Sequence, residues 1–302
     1  MNTFKYLCCT LLLLMGINSN VIAQYSFAKS NRLVFTPVHE AGALLVFNQQ
    51  RSDINNQYII DLSSINAGFG LYYRYTFSYF TAIEASVTYY RVEGADRFVK
   101  DKTPKSNGWY RYIRNLSFRT DVVEAAAHFD VHAKKYQPFK LDKHRWTPYI
   151  SGGVGVVYFN PKANYEGKWY SLQPLGTEGQ GRPGYSPKYA RTVWAAPVRL
   201  GIKANLTDHV NLQYFFGYTF VGTDYLDDVS TVYADPKDLD DLTAAIAMRA
   251  DEVIGEEYYG RITAPGEQRG DPGDKDGYWT MGISLSFKLT SSTGRIKCAR
   301  WR

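Results

Sequence analysis

The chain has 302 residues, 35 Lys and Arg against 29 Asp and Glu, and a formal net charge of +6. Aromatic residues make up 16%, with 25 tyrosines and three cysteines. That excludes a disordered polar chain and a disulfide-dense scaffold. The basic balance suits an anionic partner, and the N-terminus restricts which one.

Lys5, the apolar run YLCCTLLLLMGI and a polar stretch ending in Ala23 have the form of a secretory signal. Val21 and Ala23 take the −3 and −1 positions of a cut before Gln24. The apolar run is short of the roughly 20 residues that span a bilayer. Cys8 and Cys9 leave with the signal, so the exported chain keeps Cys298 alone and no internal disulfide. Export also removes nucleic acid as a partner. The expected organisation is a signal peptide over 1–23, a barrel over 24–290 and a basic tail over 291–302.

Period-2 alternation then recurs eight times, beginning with the nearly continuous HEAGALLVFN, 39–48. INAGFGLYYRYTFS sets Phe69, Leu71, Tyr73 and Tyr75 against Gly68, Gly70, Arg74 and Thr76. AIEASVTYY sets Ile83, Ala85 and Val87 against Glu84, Ser86 and Thr88. VEAAAHFDVH sets Val123, Ala125, Ala127 and Phe129 against Glu124, His128 and Asp130. PYISGGVGVVYF is apolar on both faces, and VWAAPVRLGIKA, NLQYFFGYTF and WTMGISLSFKL complete the set. Long polar connections (51–64, 91–116, 160–191 and 222–276) alternate with the tight turns FSYF and NLTD and the intermediate 134–145. Short turns alternating with long loops are the pattern of outer-membrane barrels. The predicted fold is all-β: an eight-stranded antiparallel transmembrane β-barrel with long extracellular loops and both termini periplasmic. A periplasmic sandwich gives no reason for the alternation.

The polar face carries Glu40, Glu84, Glu124 and Asp130 with Arg74, Arg199, Lys203 and Lys288. An eight-stranded barrel is only wide enough for side chains, and buried charges must pair. These eight residues are therefore expected to form an ion-pair network that plugs the lumen. Trp194, Trp279, Tyr158 and Tyr218 are expected near the outer interface, and Phe77, Tyr79 and Trp146 near the inner one.

Chemistry finds little support. The histidines His39, His132, His144 and His209 fall at the periplasmic rim and His128 in the lumen, so no base faces the outer leaflet for lipid A chemistry. His128 and His132, four residues apart on a strand, are about 13 Å apart and are read as packing. No catalytic, cofactor or metal site is expected. The acidic stretches TDYLDDVSTVYADPKDLDD and RGDPGDKDG lack EF-hand spacing and read as a solvated loop. Within the first, Asp235 and Pro236 form a helix start. Leu239, Leu242, Ile246 and Val253 follow at helical spacing, so a short helix is expected in the fourth loop as a lid or a partner face.

Charge is more telling. Lys134, Lys135, Lys140, Lys143 and Arg145 crowd one turn, and Arg295 and Lys297 stand in the tail. This basic periplasmic rim suits anionic headgroups or an acidic periplasmic protein. Arg91, Arg97, Lys100, Lys102, Lys105, Arg111 and Arg114 of the second loop suit lipopolysaccharide phosphates.

RNLSFRTDVVE, TPYISGGVGVVYFNPKA, SLQPLGTEGQGRPGY and TDYLDDVSTVYADP resemble the PorG-like outer-membrane barrels, a family associated with the type IX secretion system. The resemblance covers about 65–290. LQPLGTEGQG and DYLDDVS are its most specific parts, because lipid-facing alternation does not dictate loop sequence. It implies a non-enzymatic scaffold anchoring a periplasmic ring built from a lipoprotein and its partner subunit. The alternative is a general structural barrel that binds envelope lipid or another partner.

Overall fold

Leu71 is 68% exposed while Arg74, on the opposite face of the same strand, is 2% exposed. That inversion runs through the whole fold. The computed structural model describes residues 35–54, 65–142, 144–254, 263–273 and 275–289. The signal segment and the tail lie outside the described residues.

Among the described residues nine strands follow in chain order: β1 (Val38–Arg51), β2 (Asn66–Thr76), β3 (Thr81–Ala95), β4 (Ser117–His132), β5 (Trp146–Tyr165), β6 (Lys168–Ser171), β7 (Thr192–Asn205), β8 (Val210–Val221) and β9 (Gly277–Lys288). Eight pair antiparallel in the cyclic order β1-β2-β3-β4-β5-β7-β8-β9, and β1 closes on β9 through Glu40↔Lys288 to Arg51↔Gly277. Closure leaves no free edge, as a bilayer requires. The β5–β7 ladder is interrupted between Gly152↔Val198 and Gly155↔Ala195, because Pro197 has no N–H to donate.

β5 runs six residues past its expected end at Phe159. It turns at Glu166 (φ 49°) and Gly167 (φ 79°) into β6. Positive φ at both central residues is the type I′ hairpin geometry that matches strand twist. Among the described residues four short helices sit in the loops: α1 (Asn107–Arg114), α2 (Leu172–Leu175), α3 (Asp241–Ala247) and α4 (Asp251–Ile254). Asp235 caps a single 3-10 turn at Pro236, accepting from the Lys237 N–H. α3 starts instead at Asp240, whose carboxylate accepts from the Thr243 N–H at 2.9 Å. Its buried Ile246 packs with Ala163 and Leu172.

Outward residues such as Leu45, Phe69, Val87, Val154, Leu200 and Leu285 are exposed around the barrel. Inside, an ion-pair network fills the half toward the short turns, and buried apolar side chains such as Val122 and Phe159 line the half toward the long loops. Such an apolar belt around buried ion pairs is stable only in lipid. Small residues make room within: a Cβ at Gly42 would stand 2.6 Å from the Tyr72 ring, and one at Gly282 would strike Phe215.

Candidate functional site

Three regions carry the polar chemistry: the lumen, the end bearing the short turns, and the end bearing the long loops.

In the lumen Arg74 is the hub. It bonds Glu40 at 2.9 Å, contacts Asp130 at 3.5 Å and pairs with Glu84. Arg199 reaches Glu84 at 3.0 Å and Lys203 reaches Asp130 at 2.5 Å. Glu40 also accepts from Asn211 and Ser286, each at 2.8 Å. Two residues expected in this network lie outside it. Glu124 accepts from the phenols of Tyr90 and Tyr278 rather than from a base. Lys288 is exposed, because β9 ends there and the side chain stands at the open rim. His128 and His132 take separate partners, Ser86 and the Tyr79 carbonyl.

The connection 133–145 folds across the turn end. Tyr136, Gln137 and Phe139 are buried. The Tyr136 hydroxyl donates to Asn205 Oδ1 at 2.8 Å, and Asn205 donates to the carbonyls of Gln137 and Lys140 at 2.8 and 2.6 Å. Gln137 donates to the Thr36 carbonyl at 3.0 Å, fastening the N-terminal side of β1 to the same plug. Lys135, Lys140 and Arg145 face outward, and Lys134 lies over the Trp146 ring. Lys143, Arg295 and Lys297 lie outside the described residues. Tyr79, expected at the lipid interface, packs instead against Phe35 and His144 of this plug.

The loop end departs furthest from expectation. The acidic stretch read as solvated folds into the barrel mouth. Leu226 and Val229 are buried among Phe118, Val122, Phe159 and Val221, and Thr120 donates to the Leu226 carbonyl at 2.7 Å. The upper lumen is apolar, so the apolar side chains of DYLDDVS have a place to go. The polar side chains of that motif meet LQPLGTEGQG. Glu178 accepts from the backbone of Ser230 at 2.9 Å and from Arg269 at 2.9 Å. Asp228 accepts from Tyr189 at 2.6 Å and from Thr177. Arg114 belongs to RNLSFRTDVVE, and Asn115 in the left-handed conformation ends α1 just after it. It grips Asp96 by two bonds of 2.8 Å and donates to the Asp53 carbonyl at 3.1 Å. Arg114 is therefore buried, and Arg111 bonds the Asp53 carbonyl, so neither is free for lipopolysaccharide as expected. Of that second-loop set, Arg97, Lys100, Lys102 and Lys105 remain exposed.

Around this cap Asp53, Asp224, Asp227 and Asp276 gather from two loops. Burial pushes Asp224 up to about 8, with Asp53 and Asp227 adding to the rise. Burial pushes Asp227 up to about 7, and holds Asp276 well above the usual carboxylate range. Asp228 is raised to about 6 by burial in spite of Arg269. Asp224 and Asp227 belong to the first acidic stretch of the fourth loop and Asp276 to the second, but only packing between segments distant in sequence shows that they are buried together with Asp53.

The closed eight-stranded barrel, filled by ion pairs and belted by apolar side chains, has the fold of a transmembrane β-barrel. Solved structures of that shape are similar to it. The chain covers 97% of Neisserial surface protein A (NspA), with 83% of itself matched at 9% identity and a TM-score of 0.39. It covers 97% of Ail, the attachment invasion locus protein of Yersinia pestis, with 84% of itself matched at 11% identity and a TM-score of 0.37. OprG from Pseudomonas aeruginosa is covered to 97%, with 85% of this chain matched at 11% identity and a TM-score of 0.37. No protein-family model and no curated protein matches the chain. The barrel assignment rests on the strand pairing itself.

Proposed function

We propose that the chain is a non-enzymatic barrel of the Gram-negative outer membrane that holds a periplasmic assembly against it. In this reading the long loops are extracellular and the short turns and both termini are periplasmic. The assembly is the ring of the type IX secretion system, made of a lipoprotein and its partner subunit. The PorG-like resemblance supports that identity.

The observation that carries the docking role is the turn-end plug. Its backbone is pinned by Asn205 and Gln137 while Lys135, Lys140 and Arg145 face outward. Exposed acids at that end are Asp142 and Asp208, among the described residues. A fixed cationic surface steers and orients an acidic protein without ordering a loop on binding. The filled lumen fits anchoring better than passage. The space left beside Glu124 and Arg199 is about 10 Å³, roughly room for one water.

In-cell photo-cross-linking from position 140, with position 237 in the fourth loop as control, tests this. Adducts from 140 to a ring lipoprotein, absent from 237, support the scaffold. Adducts from 140 to lipid alone replace it with a structural barrel that binds envelope lipid.

A further inference from the structure

The loop cap is short of positive charge. Asp53, Asp224, Asp227 and Asp276 lie together, and the bases on that side are Arg111 and Arg114, which also face Asp96. Arg114 spends two donors on Asp96 and another on the Arg269 carbonyl. The carboxylates are also unequally served. Asp227 accepts from the N–H groups of Val229 at 2.9 Å and Ile54 at 3.2 Å. Asp53 accepts from the Asp271 N–H at 2.7 Å. Asp276 Oδ2 accepts from the Leu226 N–H at 2.7 Å, but its Oδ1 has no partner although the residue is 2% exposed. Asp224 is 9% exposed, and neither of its carboxylate oxygens makes a well-formed hydrogen bond, the Ser230 hydroxyl being the donor beside it. The Ser52 hydroxyl lies beside the Asp227 carboxylate.

Burying a polar oxygen without a partner costs about 1–3 kcal/mol, and more when it is charged. A proton on Asp224 would lower the charge and let its hydroxyl donate to one neighbouring carboxylate oxygen, which serves a single lone pair. A cation satisfies several lone pairs at once. The strands of chain also hold these acids together: the Asp276 N–H donates to the Thr223 carbonyl at 3.2 Å, which places the two free carboxylates on adjoining backbone.

We infer that the loop cap binds a calcium-class divalent cation through the free oxygens of Asp224 and Asp276, with hydroxyl, carbonyl or water oxygens completing the shell. Among the described residues no three His, Cys, Asp or Glu side chains form a metal centre by themselves, so neutral oxygens are required. Calcium accepts six to eight mixed oxygen ligands in flexible geometry, whereas magnesium demands a near-ideal octahedron. The cation would lock DYLDDVS to the segment entering β9 and so close the barrel mouth. This site is independent of the partner at the turn end.

The test uses the full exported chain folded in detergent micelles and stripped with chelator, titrated calorimetrically with calcium chloride alone and with magnesium chloride alone. Saturable calcium binding near one equivalent is expected, with magnesium weaker. Asp224→Asn combined with Asp276→Asn should abolish saturable calcium binding, because both charged ligands are lost. Because the substitutions also remove repulsion, the double variant without calcium should melt no lower than the stripped parent. Calcium should also slow protease cleavage within 223–231 of the parent, a readout that survives if the variant does not fold. No calcium heat, or the same cleavage rate with and without calcium, overturns the site. Slower cleavage produced by acid pH but not by calcium assigns these oxygens to protons instead.

Discussion

The phenol of Tyr189 donates to Asp228 Oδ1 at 2.6 Å, fastening the third loop to the fourth inside the barrel mouth. Hydrogen bonds to charged groups contribute about 1.5–3 kcal/mol. Tyr189 also stacks on Tyr225 with ring centroids 4.5 Å apart, and Tyr189→Phe keeps that stacking while removing the donor. Amide exchange of Val229, Ser230 and Thr231 should then quicken roughly 10–100-fold by local opening. Exchange in β3 should not change. Equal acceleration in both places would mean that the cap and barrel open as one unit.

Arg74 faces three carboxylates, so its loss is felt by all of them. Arg74→Met fills similar space but leaves Glu40 without its base and Glu84 and Asp130 with one each. Breaking a buried pair from one side typically costs about 3–5 kcal/mol. Guanidinium unfolding in lipid vesicles should show a loss of that order. Arg74→Lys should recover part of it, since one ammonium cannot reproduce the forked geometry. A loss below about 1 kcal/mol would mean that water replaces the guanidinium at little cost.

The strands were legible because parity is a local property. Leu71 and Arg74 reveal their faces from spacing alone, and inward parity named six residues that do meet: Glu40, Arg74, Glu84, Asp130, Arg199 and Lys203. Parity does not give height along the barrel, which is why Lys288 at the rim and Glu124 among tyrosines were misplaced. The cap was invisible for another reason. Asp53 and Asp227 are remote in sequence and share a site only after Leu226 and Val229 enter the lumen, so their carboxylates read locally as solvated. The helix start at Asp235–Pro236 was visible because capping is local, yet the longer helix begins five residues later.

The apolar belt gives a depth-dependent expectation. Leu71 sits mid-strand, opposite Val87 on one side and Ala43 on the other. Leu71→Arg should destabilise the folded barrel by about 2–4 kcal/mol in a bilayer. The same change in detergent, where the belt is thinner and adaptable, should cost less. Urea unfolding in the two environments measures both. Equal losses would move Leu71 out of the hydrocarbon layer.

The cap should weaken as pH rises. Asp224 and Asp227 titrate near 8 and 7 in the folded chain, against about 3.9 for an unfolded aspartate. The folded cap therefore binds more protons than the opened one between pH about 4 and 8. By linkage, stability is complete below the unfolded value and is lost as pH climbs through the folded values. With chelator present, protease cleavage within 223–231 should be slow at pH 5 and faster at pH 8. Added calcium should remove most of that difference by replacing the protons. Asp224→Asn with Asp276→Asn should flatten the profile without calcium, because two of the titrating acids are gone and the remaining pair repels less. Faster cleavage at pH 5 than at pH 8 would reverse the sign, and would mean that the acids are held ionised by Arg111 and Arg114.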